Sequence, residues 1–106
     1  MGDTSTFAKR LREARTRAGL SQKQLGITAG IDAFSSSPRI NQYERGKHAP
    51  DYATAQRLAR VLKVPTPYLY CDDDMVAEVV LLLGKLSTVK KRKLLGELQK
   101  LIKIKQ

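Results

Sequence analysis

The sequence predicts an all-α chain, and three observations carry that prediction. Apolar residues recur at i, i+4 and i+7, the repeat of a helix that buries one face. Serine, threonine and aspartate stand just ahead of those runs and glycine just behind them, the order in which helices are capped and closed. No stretch alternates apolar and polar residues with period two, so no strand is expected.

Taken in order, Thr4 or Ser5 caps a first helix whose inward residues are Phe7, Leu11, Ala14 and Ala18, and Gly19 closes it. Ser21 caps a second helix. Gln24, three residues on, completes a capping box, Leu25 and Ala29 face inward, and Gly30 ends the helix after about two turns. Helices this brief are marginal alone and need mutual packing. Asp32-Ala33-Phe34-Ser35-Ser36-Ser37-Pro38 is the next break. Its three serines offer alternative caps, and Pro38 suits a first turn, where an amide hydrogen is dispensable. The helix it opens holds Ile40 and Tyr43 and stops at Gly46. Asp51 caps a fourth helix carrying Ala55, Leu58, Ala59 and Leu62, which ends before Pro65; Thr66-Pro67 begins a single turn with Tyr68, Leu69 and Tyr70.

From Asp72 the character changes. Three aspartates lead into Met75, Val76, Val79, Val80, Leu82, Leu83 and Leu86, apolar over more than half a helical circumference. Ser87-Thr88 separates that stretch from a last helix with Leu94, Leu95, Leu98, Leu101 and Ile102. Lys90-Lys91-Arg92-Lys93 stand at its start, where cations oppose the helix dipole. A helical hairpin this apolar must bury its face on the main domain or on a second copy of the chain.

Composition bounds the function. The 106 residues suffice for one domain with a helical appendage, and 42% are hydrophobic. Against 10 Asp+Glu stand 20 Lys+Arg, a net charge of +10. Such a surplus suits a polyanion, because neutralising phosphates releases condensed counterions; charge alone does not choose between DNA, RNA and an anionic membrane. Cys71 is the one cysteine, which rules out an internal disulfide, suits a reducing compartment and reads as a small, partly buried residue rather than a reactive thiol. No apolar run approaches the ~18 residues of a membrane span, and no secretory signal is seen. Met1-Gly2-Asp3-Thr4-Ser5-Thr6 fits a loose myristoylation pattern, but its polar run reads better as a helix entry. With one histidine, no phosphate-cradling glycine loop and no metal-ligand spacing, neither an enzyme nor a cofactor or metal is expected. Asp72-Asp73-Asp74 reads as a cap and dipole partner rather than a cation site.

A short helix, a turn and a second short helix set among packing helices is the helix-turn-helix plan. Gly19-Leu20-Ser21-Gln22, with Leu25 and the small Gly26, resembles the first half of the Cro/C1-type (XRE, lambda-repressor-like) domain. Ile40-Asn41-Gln42-Tyr43-Glu44-Arg45-Gly46-Lys47, then Pro50, resembles its recognition helix and exit, and Leu58-Ala59-Arg60-Val61-Leu62-Lys63-Val64 with Leu69 its closing helices. The resemblance covers residues 6–71 and implies a lambda-repressor-like five-helix DNA-binding domain, with 72–106 as a C-terminal helical hairpin. In one respect the sequence departs from the pattern. The isoleucine usually follows the turn glycine by six residues, whereas Gly30 to Ile40 spans ten. Four extra residues around Asp32–Ser35 therefore predict a bulged loop, with Phe34 tucked onto the core.

With Ile40 facing inward and ~100° per residue, Gln42 and Pro38 lie opposite the core, Arg45 nearly so, Asn41 and Arg39 on the two flanks and Glu44 near the buried side. Gln42 and Asn41 suit bidentate pairing with adenine, and Arg39 or Arg45 with guanine. Ser37, at the expected helix start, is a further groove contact. The alternative for each is a solvated polar face. The resemblance implies a phosphate contact for Gln22, where an extra cap residue is the bland reading, and Lys23, Lys47 and His48 are candidate phosphate contacts at the groove edge. It also implies an internal ion pair between Glu44 and Arg15.

These readings converge on a cytoplasmic, sequence-specific double-stranded DNA-binding regulator of bacterial or phage type. It is expected to act as a homodimer on a pseudo-palindromic site. The competing expectation is a protein-interaction or antitoxin-like module using the apolar C-terminal hairpin. RNA binding is disfavoured, since aromatic residues are few and form no stacking platform.

Overall fold

The computed structural model describes residues 5–103, and all regular structure in that span is helical. Of the lipidation pattern at Met1–Thr6, the first four residues lie outside the described residues. In order the elements are α1 (Thr6–Ala18), α2 (Gln22–Thr28), α3 (Ala33–Glu44), α4 (Tyr52–Leu62), a 3-10 turn (Thr66–Tyr70), α5 (Asp74–Leu83) and α6 (Thr88–Leu101).

Local chemistry fixes most boundaries. Ser5, Ser21, Asp51 and Asp73 each accept a hydrogen bond from a backbone amide of the first turn they cap. At Ser21 the capping box is reciprocal: its Oγ accepts from the Gln24 amide while the Ser21 amide donates to Gln24 Oε1. The core joins Phe7, Leu11 and Ala14 of α1, Leu25 of α2, Ile40 and Tyr43 of α3, Ala55, Leu58 and Leu62 of α4, and Tyr68 and Leu69 of the turn. Arg57 of α4 donates to the Ala29 carbonyl at 3.0 Å, satisfying the open end of α2.

The expected loop before the third helix is absent. α3 opens at Ala33, with Asp32 Oδ1 accepting from the Ser35 amide at 3.0 Å, and Pro38 stands inside the helix rather than in its first turn. Ser37 is accordingly half-buried in mid-helix, not at a helix start. The physical reason is one of phase. Four residues are close to the 3.6 of one turn, so the extra residues lengthen α3 N-terminally by ~6 Å without turning Ile40 off the core. Two contacts hold the added turn. Ser36 is fully buried, and its hydroxyl bonds the carbonyls of Ile31 and Asp32. Its backbone lies so close to α2 that a Cβ on Gly26 would sit 2.7 Å from Ser36 Cβ. Phe34 is not tucked inward; it is 92% exposed.

The C-terminal helices follow the expectation only in part. α5 packs on the body: Ala77 is buried, and Gly84 passes Pro65 so closely that an added Cβ would meet its ring at 2.6 Å. Arg10 fixes the start of α5. It is 4% exposed, donates to the Cys71 carbonyl at 2.7 Å and to Asp74 at 2.9 Å, and lies over the Tyr68 ring. Burial works against the Arg10 charge, yet bonds to Asp74 and Glu13 more than offset it and hold the pKa above its usual value. α6 does not fold back along α5 as a hairpin, and it buries none of its residues. The radius of gyration, 15.8 Å, exceeds the ~13 Å of a compact chain this long.

Candidate nucleic-acid interface

α2 and α3 form the most extensive helix pair in the molecule, so the turn between them is rigidly framed. Behind α3, Ile40 and Tyr43 enter the core; in front, Pro38, Arg39, Gln42 and Arg45 are exposed. Ser37 and Asn41 are half-buried at the flanks. The outward face thus carries an amide and two guanidinium groups, with no carboxylate among its exposed α3 residues.

The position of that face relative to the body is set by a polar brace. Arg15 Nη2 donates to Glu44 Oε1 at 3.0 Å, its Nε donates to Oε2, and Nη1 donates to the Leu20 carbonyl at 2.9 Å. The Glu44 side chain is 4% exposed and that of Arg15 17%. A fork-to-fork pair this enclosed ties α3 to α1 at a fixed angle. The hydrogen bond to Glu44 outweighs desolvation and raises the Arg15 pKa, so its charge is permanent.

Gln22 completes the brace. Its Nε2 donates both to Glu44 Oε1, at 3.1 Å, and to Asn41 Oδ1, at 3.2 Å. Both amide hydrogens are therefore engaged with α3, a role that sequence reasoning missed. The bond also orients the Asn41 amide, whose NH2 group remains to donate.

Lys23, next to Gln22, and Lys47 and His48, just beyond Gly46, are exposed. The Lys47 amide bonds the Gln42 carbonyl at 3.0 Å and the His48 amide bonds it at 3.4 Å, so the exit loop curls back on the end of α3. Gly46 makes that reversal in the left-handed region, at φ 73°. A separate concavity lies between α1, the end of α4 and α5, and no residue of α2 or α3 lines it. No cluster of metal-ligating side chains occurs among the described residues.

Comparison with known proteins agrees with this architecture. A helix-turn-helix family model matches residues 11–69. The chain is 44% identical over 62 residues to the uncharacterized HTH-type transcriptional regulator RghRB of Bacillus subtilis (strain 168), covering 58% of this chain and 42% of that protein. It is 33% identical over 70 residues to the HTH-type transcriptional regulator ImmR of the same organism, covering 66% of this chain and 52% of the relative. The chain thus spans about half the length of these relatives. The crystal structure of transcriptional regulator BswR superposes with a TM-score of 0.80 at 47% identity, covering 88% of this chain and 92% of that one. Residue pattern, brace and matches agree: the chain belongs to the helix-turn-helix family, in its Cro/C1 (XRE) branch.

Proposed function

We propose that the protein is a sequence-specific DNA-binding transcriptional regulator that reads a major groove with the outward face of α3. The observation that carries this is the exposed set Arg39 and Gln42, with Arg45 at the C-cap, on a helix whose opposite face is buried and braced, in a chain of net charge +10. Gln42 and Asn41 pair with adenine and the arginines with guanine, each good pair giving ~1–3 kcal/mol of discrimination. Lys23, Lys47 and His48 contact flanking phosphates, and Gln22 acts by holding Asn41 and Glu44. No helix among the described residues is long and apolar enough to cross a membrane. The proposed DNA partner is what supports a cytoplasmic location.

Residues 6–71 form the DNA-binding unit and 72–106 the dimerisation element. Val76, Val79 and Leu82 on α5 are each about half exposed, as are Leu95 and Leu98 on α6, and exposed apolar side chains on both helices call for a partner. A second copy, joined two-fold, sets two α3 helices about one DNA turn apart (~34 Å) on a pseudo-palindrome.

Selecting bound duplexes from a random library tests the reading directly. Enrichment of two inverted half-sites, with affinity falling steeply with salt, is expected. Recovery of no preferred sequence and a salt-independent signal would return the protein-interaction reading. Leu98→Asp is expected to halve the mass in sedimentation and to weaken binding to the full site while leaving a half-site unaffected. A wild-type monomer at high micromolar concentration overturns the dimer.

A further inference from the structure

We infer that Phe34 is a base-reading residue, its ring packing against the C5 methyl of a thymine in the major groove. The inference rests on the proposed docking of α3 and adds to it a contact of a different chemical kind.

Three observations converge on Phe34. The ring is 92% exposed, more than any other exposed large hydrophobic side chain of the described residues, and most of the others belong to the C-terminal helices. It lies on the groove-facing line of α3: Phe34, Pro38 and Gln42 are spaced i, i+4, i+8, and with Ser35 and Arg39 they line one shallow depression. The turn that carries it is held in place by buried Ser36 and Gly26, so the ring is presented from a fixed helix rather than from a loop.

Its surroundings select the partner. Arg39, Gln42 and Arg45 share the exposed face of α3, and that basic, polar setting suits a polyanion better than an apolar protein surface. A phenyl ring has no donor or acceptor, so within a major groove the feature it recognises is the thymine methyl. From Phe34 to Gln42 is eight residues, ~12 Å along the helix. That distance spans three to four base-pair steps, so Phe34 reads a base pair separate from the one Gln42 reads.

The test uses the duplex recovered from a random library, with each thymine replaced singly by deoxyuridine, which removes only the methyl. Affinities are measured for the wild type, Phe34→Ala, Phe34→Leu and Gln42→Ala, each checked for helicity. One thymine in each half-site is expected to lose about fourfold in wild-type affinity on methyl removal, the equivalent of one buried methyl group. Phe34→Ala is expected to be indifferent at that position and Phe34→Leu to retain part of the effect. Gln42→Ala is expected to keep the methyl dependence while losing discrimination at a different base pair. Methyl dependence at no position, or the same dependence in Phe34→Ala, overturns the assignment while leaving Gln42-dependent selection standing. A wild type that selects no sequence overturns the docking of α3 and this inference together.

Discussion

Replacing Glu44 by alanine separates the brace from the reading face. The carboxylate is 4% exposed and accepts from Arg15 and from Gln22, so its removal leaves a largely enclosed guanidinium with only the Leu20 carbonyl. Removing one partner of a fully buried pair costs ~3–5 kcal/mol. Arg15 retains 17% exposure and one carbonyl, so about 2–4 kcal/mol is expected here. At roughly 4–8 °C per kcal/mol for a domain of this size, the thermal midpoint should fall by at least ~8 °C. Thermal and urea denaturation followed by far-UV circular dichroism measure the loss. The same variant, kept well below its midpoint, should rank duplex sequences as the wild type does, though with lower affinity, because Asn41 loses part of its support. A double-mutant cycle with Arg15→Ala should show strong coupling, since the second change removes the stranded charge. Stability within ~0.5 kcal/mol of wild type, or a changed base preference in an equally stable protein, would refute the assignment of Glu44 to the scaffold.

Other variants probe neighbouring features. Gln42→Ala should leave the denaturation midpoint within ~0.5 kcal/mol of wild type yet flatten preference at one base pair by ~1–3 kcal/mol, read by competition binding. Gly26→Ala would place a methyl 2.7 Å from Ser36 Cβ and should cost ~1–3 kcal/mol in urea unfolding as α2 and α3 are forced apart. Acid should weaken the fold through Asp51 and Asp74, both held below the usual carboxylate range. Bonds from the Thr54 side chain and amide lower Asp51, and Arg10, then Lys9, lower Asp74. A carboxyl more acidic in the folded than in the unfolded chain contributes fully above about pH 4 and loses that contribution as pH falls through its folded value. Thermal midpoints should therefore drop below about pH 4, and less so in Asp74→Asn.

Much of the helical frame was legible because its signals are local. Ser21, Gln24, Asp51 and Gly46 act within one turn of where they stand, and the spacing of Ile40 and Tyr43 fixes the phase of α3. The start of α3 was not legible, since a Ser-Ser-Ser-Pro run is a poor helix former. What stabilises it is the close passage of Gly26, ten residues upstream of Ser36. Continuing the Ile40 phase back through that run would have turned Phe34 outward. Arg10 was detectable too: three residues after Phe7, it lies on the apolar stripe of α1, where a charge needs dedicated partners. The Gln22 bonds to Asn41 and Glu44 depend on how two helices cross, which residue spacing does not report. The path of α6 was hidden for a related reason. The inner side of α5 is taken by the 3-10 turn and Pro65, and nothing in the intervening residues dictates where the chain goes next.

In the proposed dimer, Arg10 would also bear on operator spacing. Its bonds to Asp74 and the Cys71 carbonyl lock the take-off direction of α5 against the same helix that Arg15 locks to α3. If two copies meet through their C-terminal segments, this joint becomes the protractor of the assembly. A tilt of about 10° there displaces a point ~20 Å away by ~3.5 Å, one base-pair rise. The distance between half-sites that the protein tolerates is then set by a guanidinium far from any base.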